Sequence, residues 1–136
     1  MRIKMDRTIK FRGKRIDNKK WVYGFLADED YINDIDSIDL SSIEVDIDTV
    51  GQFTGLFDKN GNEIYEGDII SVNGKYPKLV KYIDDYACFC LANITDLNKK
   101  WISPWQQVSP SWWNDFKREI RVIGNMYDHP ELIKKE

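Results

Sequence analysis

Apolar residues along this chain recur mostly with the period of two that marks half-buried strands, and seldom with the period of a helix. Thr8-Ile9-Lys10-Phe11-Arg12 alternates in this way, Gly13 interrupts the run, and Asp17-Asn18 reads as a turn. Residues 19–26 (KKWVYGFL) form the second arm of a predicted hairpin. Trp21, Tyr23 and Phe25 point to one face of that arm, and Val22, Gly24 and Leu26 to the other. Residues 28–48 are acidic but keep Ile, Leu and Val at intervals, which predicts a strand or two with loops.

The stretch 50–71 is punctuation followed by a strand. It holds Gly51, Gly55, Gly61 and Gly67, half of the eight glycines. Asn60-Gly61, between Leu56-Phe57 and Ile64-Tyr65, predicts a tight type I′ hairpin turn. Glu66-Gly67-Asp68 makes a second turn that releases into the β-branched run Ile69-Ile70-Ser71-Val72, and Asn73-Gly74 closes that strand. Further strands are predicted at 78–83 and 86–91, joined at Asp84-Asp85, and at 119–127. Helix signals are few. Ser109-Pro110 reads as an N-cap and first helical residue for a short helix at 110 to about 117. Residues 130–135 predict a terminal helical turn capped from Asp128. The expected fold is mainly β, with an N-terminal hairpin region, a small barrel opened by the strand 69–72, and one or two short helices.

Composition narrows the class. A chain of 136 residues, 42% hydrophobic and 32% charged, supports one ordinary domain with a real core. No apolar run approaches the ~20 residues that span a bilayer, so no membrane partner is expected. The N-terminus carries charges without a following apolar stretch and does not read as a secretory signal. Two cysteines, Cys88 and Cys90, make no disulfide framework, so a reduced, cytoplasmic setting is the expectation.

The net charge of −3 hides an asymmetry. Residues 1–20 carry nine Lys/Arg against two Asp, a net +7, while residues 21–58 carry ten Asp/Glu and no Lys or Arg. Either the two blocks are neighbours in one sheet that neutralise each other, or one of them is an electrostatic docking surface. Arg12, Lys14 and Arg15 are the candidate anion or nucleic-acid face; the plainer reading is a solvated face or edge-strand protection.

Candidate chemistry is sparse. Starting an EF-hand loop at Asp28, Asp34 or Asp46 places Ile32, Ile38 or Val50 at the fifth ligand position. Asp58, Asn60 and Asn62 fit positions 1, 3 and 5, but Glu63 then takes the glycine position and Ile69 the terminal glutamate. Cys88 and Cys90 face one side of a strand, and with His129 they fall short of the four ligands of a structural zinc. The one histidine, no phosphate loop and no H-E-x-x-H leave no catalytic constellation, no metal and no cofactor to expect. Residues 101–116 hold four of the five tryptophans; Trp101, Trp105, Trp112 and Trp113 are either a lid on one end of the barrel, which is favoured, or an aromatic interaction surface. Asn60, Gly61, Gly67 and Asp68 are read as structural turn residues.

Three blocks carry a resemblance: IKFRGKRIDNKKWVYGFL at 9–26, VDIDTVGQFTGLFDKNGNEIYEGDII at 45–70, and VIGNMYDHPELI at 122–133. They resemble, in order and spacing, the signature blocks of the YopX family, small proteins encoded by phages and prophages. The resemblance implies an SH3-type barrel in the later half and carries no catalytic residue. The expected layout is a single YopX-like domain over 1–136, with an N-terminal β region at about 8–55, the SH3-type barrel at about 56–128 and a tail at 129–136. The expected function is a non-catalytic protein-interaction module, not an enzyme, acting on a host or phage protein. The alternative is a nucleic-acid binder using the basic N-terminal face, which the acidic block would oppose. Exposed strand edges and aromatic segments also suggest a homo-oligomer.

Overall fold

The structure, a computed structural model, describes residues 7–133. The chain forms two compact units, Met1–Gly55 and Leu56–Glu136, and its strands lie in two antiparallel sheets.

In the first unit β1 (Phe11–Lys14), β2 (Trp21–Asp28), β3 (Tyr31–Asp34), β4 (Ser42–Glu44) and the start of β5 (Gly51–Phe57) run in the order β4-β3-β2-β1-β5. Alternation places Val22, Ile32 and Val45 in one buried cluster, with Phe11, Ile43 and Val50 packed around it. The first strand differs from its sequence reading. It begins at Phe11, and Gly13 continues it, paired with Val22. Gly24 in β2 has a stricter role, because a Cβ there would sit 1.8 Å from the Asn33 carbonyl oxygen on β3. After β4 the chain turns back so that Val45 bridges Arg15, and the Asp46 N–H donates to the Lys14 carbonyl at 2.8 Å. The basic end of β1 and the acidic residues 44–46 are therefore neighbours.

The second unit contains β6 (Glu63–Tyr65), β7 (Asp68–Val72), β8 (Lys75–Ile83), β9 (Cys88–Asn93), β10 (Trp105–Gln107), a four-residue helix α1 (Pro110–Trp113) and β11 (Ile120–Asn125). Its sheet runs β10-β9-β8-β7-β11: a meander whose last strand returns beside the first. Strands β10 and β11 stand at opposite ends and do not pair, so the sheet is open and the expected barrel is not closed. β7 is buried along its whole length because both faces of the sheet are covered. Ile70, Val80 and Leu91 join Ile64 and Ile120 in one cluster, which Trp112 and Trp113 cover. Ile69 and Leu79 join Ile94 in another, covered by Trp105, Met126 and Leu132.

The turns need three corrections. At 58–62 the Gly61 N–H donates to the Asp58 carbonyl and the Asp58 N–H to that of Asn62. Only Gly61 has positive φ, +82°, so this is a type I turn with a glycine bulge and not type I′. The type I′ pair is Asn73-Gly74, with φ of 55° and 76°, between Val72 and Lys75. At the C-terminus a 3-10 turn spans Pro130–Leu132 with His129, not Asp128, in the capping position; residues 134 and 135 of that expected helix lie outside the described residues. The helix at 110 ends at Trp113, four residues short of its expected length, because the backbone leaves the helical conformation at Asn114, with φ −88° and ψ 5°.

Candidate functional site

The residues singled out as an anion face are not a free cationic surface. Arg12 is only 5% exposed, and its guanidinium stacks 4.5 Å above the Trp21 ring, which Lys14 also approaches at 5.6 Å. Arg15 donates through Nε and Nη2 to both carboxylate oxygens of Asp17 at 2.9 Å. That hydrogen bond holds the Asp17 carboxyl below its usual range against the opposing effect of burial, with the charge attraction a smaller contribution. Trp21, Lys14 and Lys10, which lies 5.2 Å over Phe53, complete a row of cations on aromatic faces.

The structural turn residues sit where their chemistry requires. Asp58 is buried, and its Oδ1 accepts from the Asn60 and Asn62 N–H groups at 2.9 and 2.8 Å. Its Oδ2 accepts from the Asn62 amide at 3.1 Å and from the Val122 N–H of β11 at 3.0 Å. One carboxylate thus caps a turn and covers the outer edge of β11. Asp68, also buried, accepts from the Tyr65 N–H at 2.7 Å across the turn at Gly67. His129 is part of the C-terminal turn, where its Nδ1 accepts from the Asn125 N–H at 3.3 Å.

Around α1 the second unit opens two clefts, one on either side of the adjacent tryptophans. Ser109 caps the helix, its hydroxyl accepting from the Trp112 N–H at 3.2 Å, and this single turn sends the two indoles in different directions. Trp113 walls a cleft of about 220 Å³ together with Phe57, Phe116 and Ile120. Phe116 is 90% exposed and Phe57 52%, so two phenyl rings stand in solvent above a buried isoleucine floor. Its rim is charged: Lys59 pairs with Glu119, and Arg118 stacks 4.4 Å over Trp112 while donating to the Trp112 carbonyl. Lys59 holds the Glu119 carboxyl below its usual range, first by the hydrogen bond and then by charge.

Trp112 walls the other cleft, of about 180 Å³, with Leu91, Gln106, Val108, Ser109 and Lys78. The Lys78 ammonium donates to Asn93 Oδ1 at 2.6 Å. Burial lowers its pKa, and the charge of Asp96 only partly offsets this. Trp105 packs on the opposite face of the sheet, so three of the four clustered tryptophans lie against the two faces of an open sheet. Trp101 does not; it is 94% exposed next to exposed Ile102. Sequence reasoning named the tryptophans but missed Phe57 and Phe116, since an apolar residue flanking a turn reads as core until its neighbours are known.

The thiols of Cys88 and Cys90 lie 3.9 Å apart on one face of β9, hydrogen-bonded to each other and not joined as a disulfide. Among the described residues no group of three or more His, Cys, Asp or Glu is gathered as a metal would require, and no helix is long and apolar enough to cross a membrane.

The family model described as YopX protein matches residues 10–134, nearly the whole chain. The chain belongs to the YopX family. A crystal structure of protein EF1440 from Enterococcus faecalis is similar to this YopX chain at a TM-score of 0.55 and 23% identity, over 95% of this chain and 100% of that one. At that identity the likeness is one of fold. No curated protein matches this YopX chain.

Proposed function

We propose that this YopX protein is a non-catalytic protein-interaction module, a phage or prophage accessory factor that acts in the host cytoplasm by binding a host or phage protein. The observation that carries the reading is the cleft of Phe57, Trp113 and Phe116 over Ile120. Exposed aromatic rings above an apolar floor, ringed by fixed ion pairs, are the composition of an interface centre. The strand order β10-β9-β8-β7-β11, with α1 just before the returning strand, supports reading the second unit as an SH3-type fold whose barrel is left open. His129, bound into its own turn, supports a structural rather than a catalytic histidine. Nucleic-acid binding through the basic N-terminal block draws less support, with Arg12 buried on Trp21 and Arg15 tied to Asp17.

The test is affinity selection of a displayed random-peptide library on the full chain, repeated with a Phe57→Ser, Phe116→Ser double variant. We expect a class of enriched peptides, rich in apolar residues, whose binding to the variant falls at least tenfold. A selection in which every enriched peptide binds both proteins equally would refute the cleft as a binding centre.

A further inference from the structure

We propose that β10 is a strand-addition edge for an extended, acidic segment of a partner protein. An apolar side chain of that segment enters the pocket between Leu91 and Trp112, and one of its carboxylates meets Lys78. The inference rests on the interaction-module reading and adds to it a second contact site, on the other side of α1 from the Phe57–Phe116 cleft, with its own chemistry for the partner.

The two edges of the second unit's sheet are treated differently. The β11 edge is covered by the turn at 58–62: Lys59 donates its backbone N–H to the Ile120 carbonyl at 2.8 Å, and Asp58 Oδ2 accepts from the Val122 N–H. Beyond these, His129 and Asn125 bond to each other at the end of the strand. The β10 edge is covered only at its start, where the Trp105 N–H reaches the Ser103 hydroxyl at 3.4 Å, and among the described residues no strand pairs with its outer side. Its shortness is its one protection. The three-residue strand Trp105-Gln106-Gln107 has no charged residue, proline or bulge in its register with Ala92, Leu91 and Cys90. Natural sheets leave such an edge bare where another chain is to pair with it.

What lies beside the edge specifies the occupant. Gln106, Leu91 and, two strands in, Lys78 line the pocket that Trp112 closes. A strand added to β10 carries alternate side chains over this pocket, at the spacing a period of two provides. Leu91 and the Trp112 ring offer the apolar surface. Lys78 supplies a partly desolvated positive charge whose hydrogen-bond partner, Asn93, is neutral, while the nearest carboxylate, Asp96, is already paired with Lys99 at 2.8 Å. A carboxylate is the group that a cation in this state selects. A nucleic-acid phosphate satisfies Lys78 but brings no strand to the open edge, so a peptide segment fits both features.

The experiment takes acidic peptides enriched from a random twelve-residue library on the full chain. It measures their affinity for the protein and for Lys78→Gln, along with hydrogen exchange of the 105–107 amides with and without peptide. We expect the enriched peptides to alternate apolar residues with Asp or Glu. Lys78→Gln should weaken them about tenfold, and exchange at 105–107 should slow at least tenfold on binding. Peptides that bind yet leave 105–107 unprotected, or bind Lys78→Gln equally well, overturn the strand-addition mode while leaving the interaction module standing. Failure to enrich any peptide overturns both. A protein that is dimeric by light scattering without peptide, with 105–107 already protected, assigns the edge to a second copy of the chain and overturns the proposal.

Discussion

Asp58 ties three segments of the second unit together, and its chemistry shows how one residue was legible in part. In the sequence, Asp58, Asn60 and Asn62 imitate the first three ligand positions of a calcium loop. In the structure the same spacing lets a carboxylate accept from the Asn60 and Asn62 N–H groups, and the remaining oxygen reaches Val122. The spacing was visible; the ligand, backbone amide rather than cation, was not, because Val122 is remote in sequence. Burial alone would raise the Asp58 carboxyl, but hydrogen bonds from Val122, Asn62 and Asn60 outweigh it and hold it below the usual carboxylate range. A carboxyl with a depressed folded pKa contributes stability that is full above its unfolded value of ~3.9 and is lost as pH falls through the folded value. Asp58→Ala is therefore expected to cost about 2–3 kcal/mol at neutral pH. Chemical denaturation at a series of pH values should show the gap to the unsubstituted protein closing below about pH 4; a gap that stays constant down to pH 3 contradicts the role. Gly24→Ala tests close approach in the first unit. With the new Cβ 1.8 Å from the Asn33 oxygen, β2 and β3 must part, at a cost near the ~3 kcal/mol upper end for overpacking. Unchanged thermal stability would show that the strands are not held that closely.

Strands were read from alternation more reliably than turns were read from dipeptides. The two Asn-Gly pairs look alike in sequence, yet Asn73-Gly74 forms the type I′ turn and Asn60-Gly61 does not. The difference is the Asp58 side chain, which caps the Asn60 and Asn62 amides and holds Asn60 out of the left-handed region. β7 read clearly because a run buried on both faces needs no particular partner to look buried, whereas barrel closure depends on two edges meeting, which no local pattern encodes. β9 carries its own prediction. Burial, reinforced by the neighbouring Cys88 thiol, pushes the Cys90 pKa up to about 11, and Cys90 is wholly buried while Cys88 is half-buried. Because the thiolate is the reactive form, a disulfide reagent at pH 8 should modify one thiol per folded chain quickly, and the second only on unfolding. Two fast equivalents would mean that β9 is not covered as described.

For the whole molecule, charge counting located the two blocks but not what they do. The basic end of β1 meets residues 44–46 through the Arg15–Val45 bridge, and stacking on Trp21 takes Arg12 out of solvent. The capped turn at Ser109 was legible and sets Trp112 and Trp113 against the core, while Trp101 stands exposed outside it. Phe57 and Phe116 were illegible for the opposite reason: they gain meaning only from the cleft that Trp113 and Ile120 complete. The account therefore turns on whether that cleft binds a protein. The most direct measurement uses the full chain and its Phe57→Ser, Phe116→Ser variant as parallel baits in nuclease-treated host lysate, with quantitative mass spectrometry of what each retains. The account predicts a protein that the unsubstituted bait recovers at least tenfold better than the variant, with nuclease making no difference. Equal recovery by the two baits, or retention that disappears with nuclease, would contradict it.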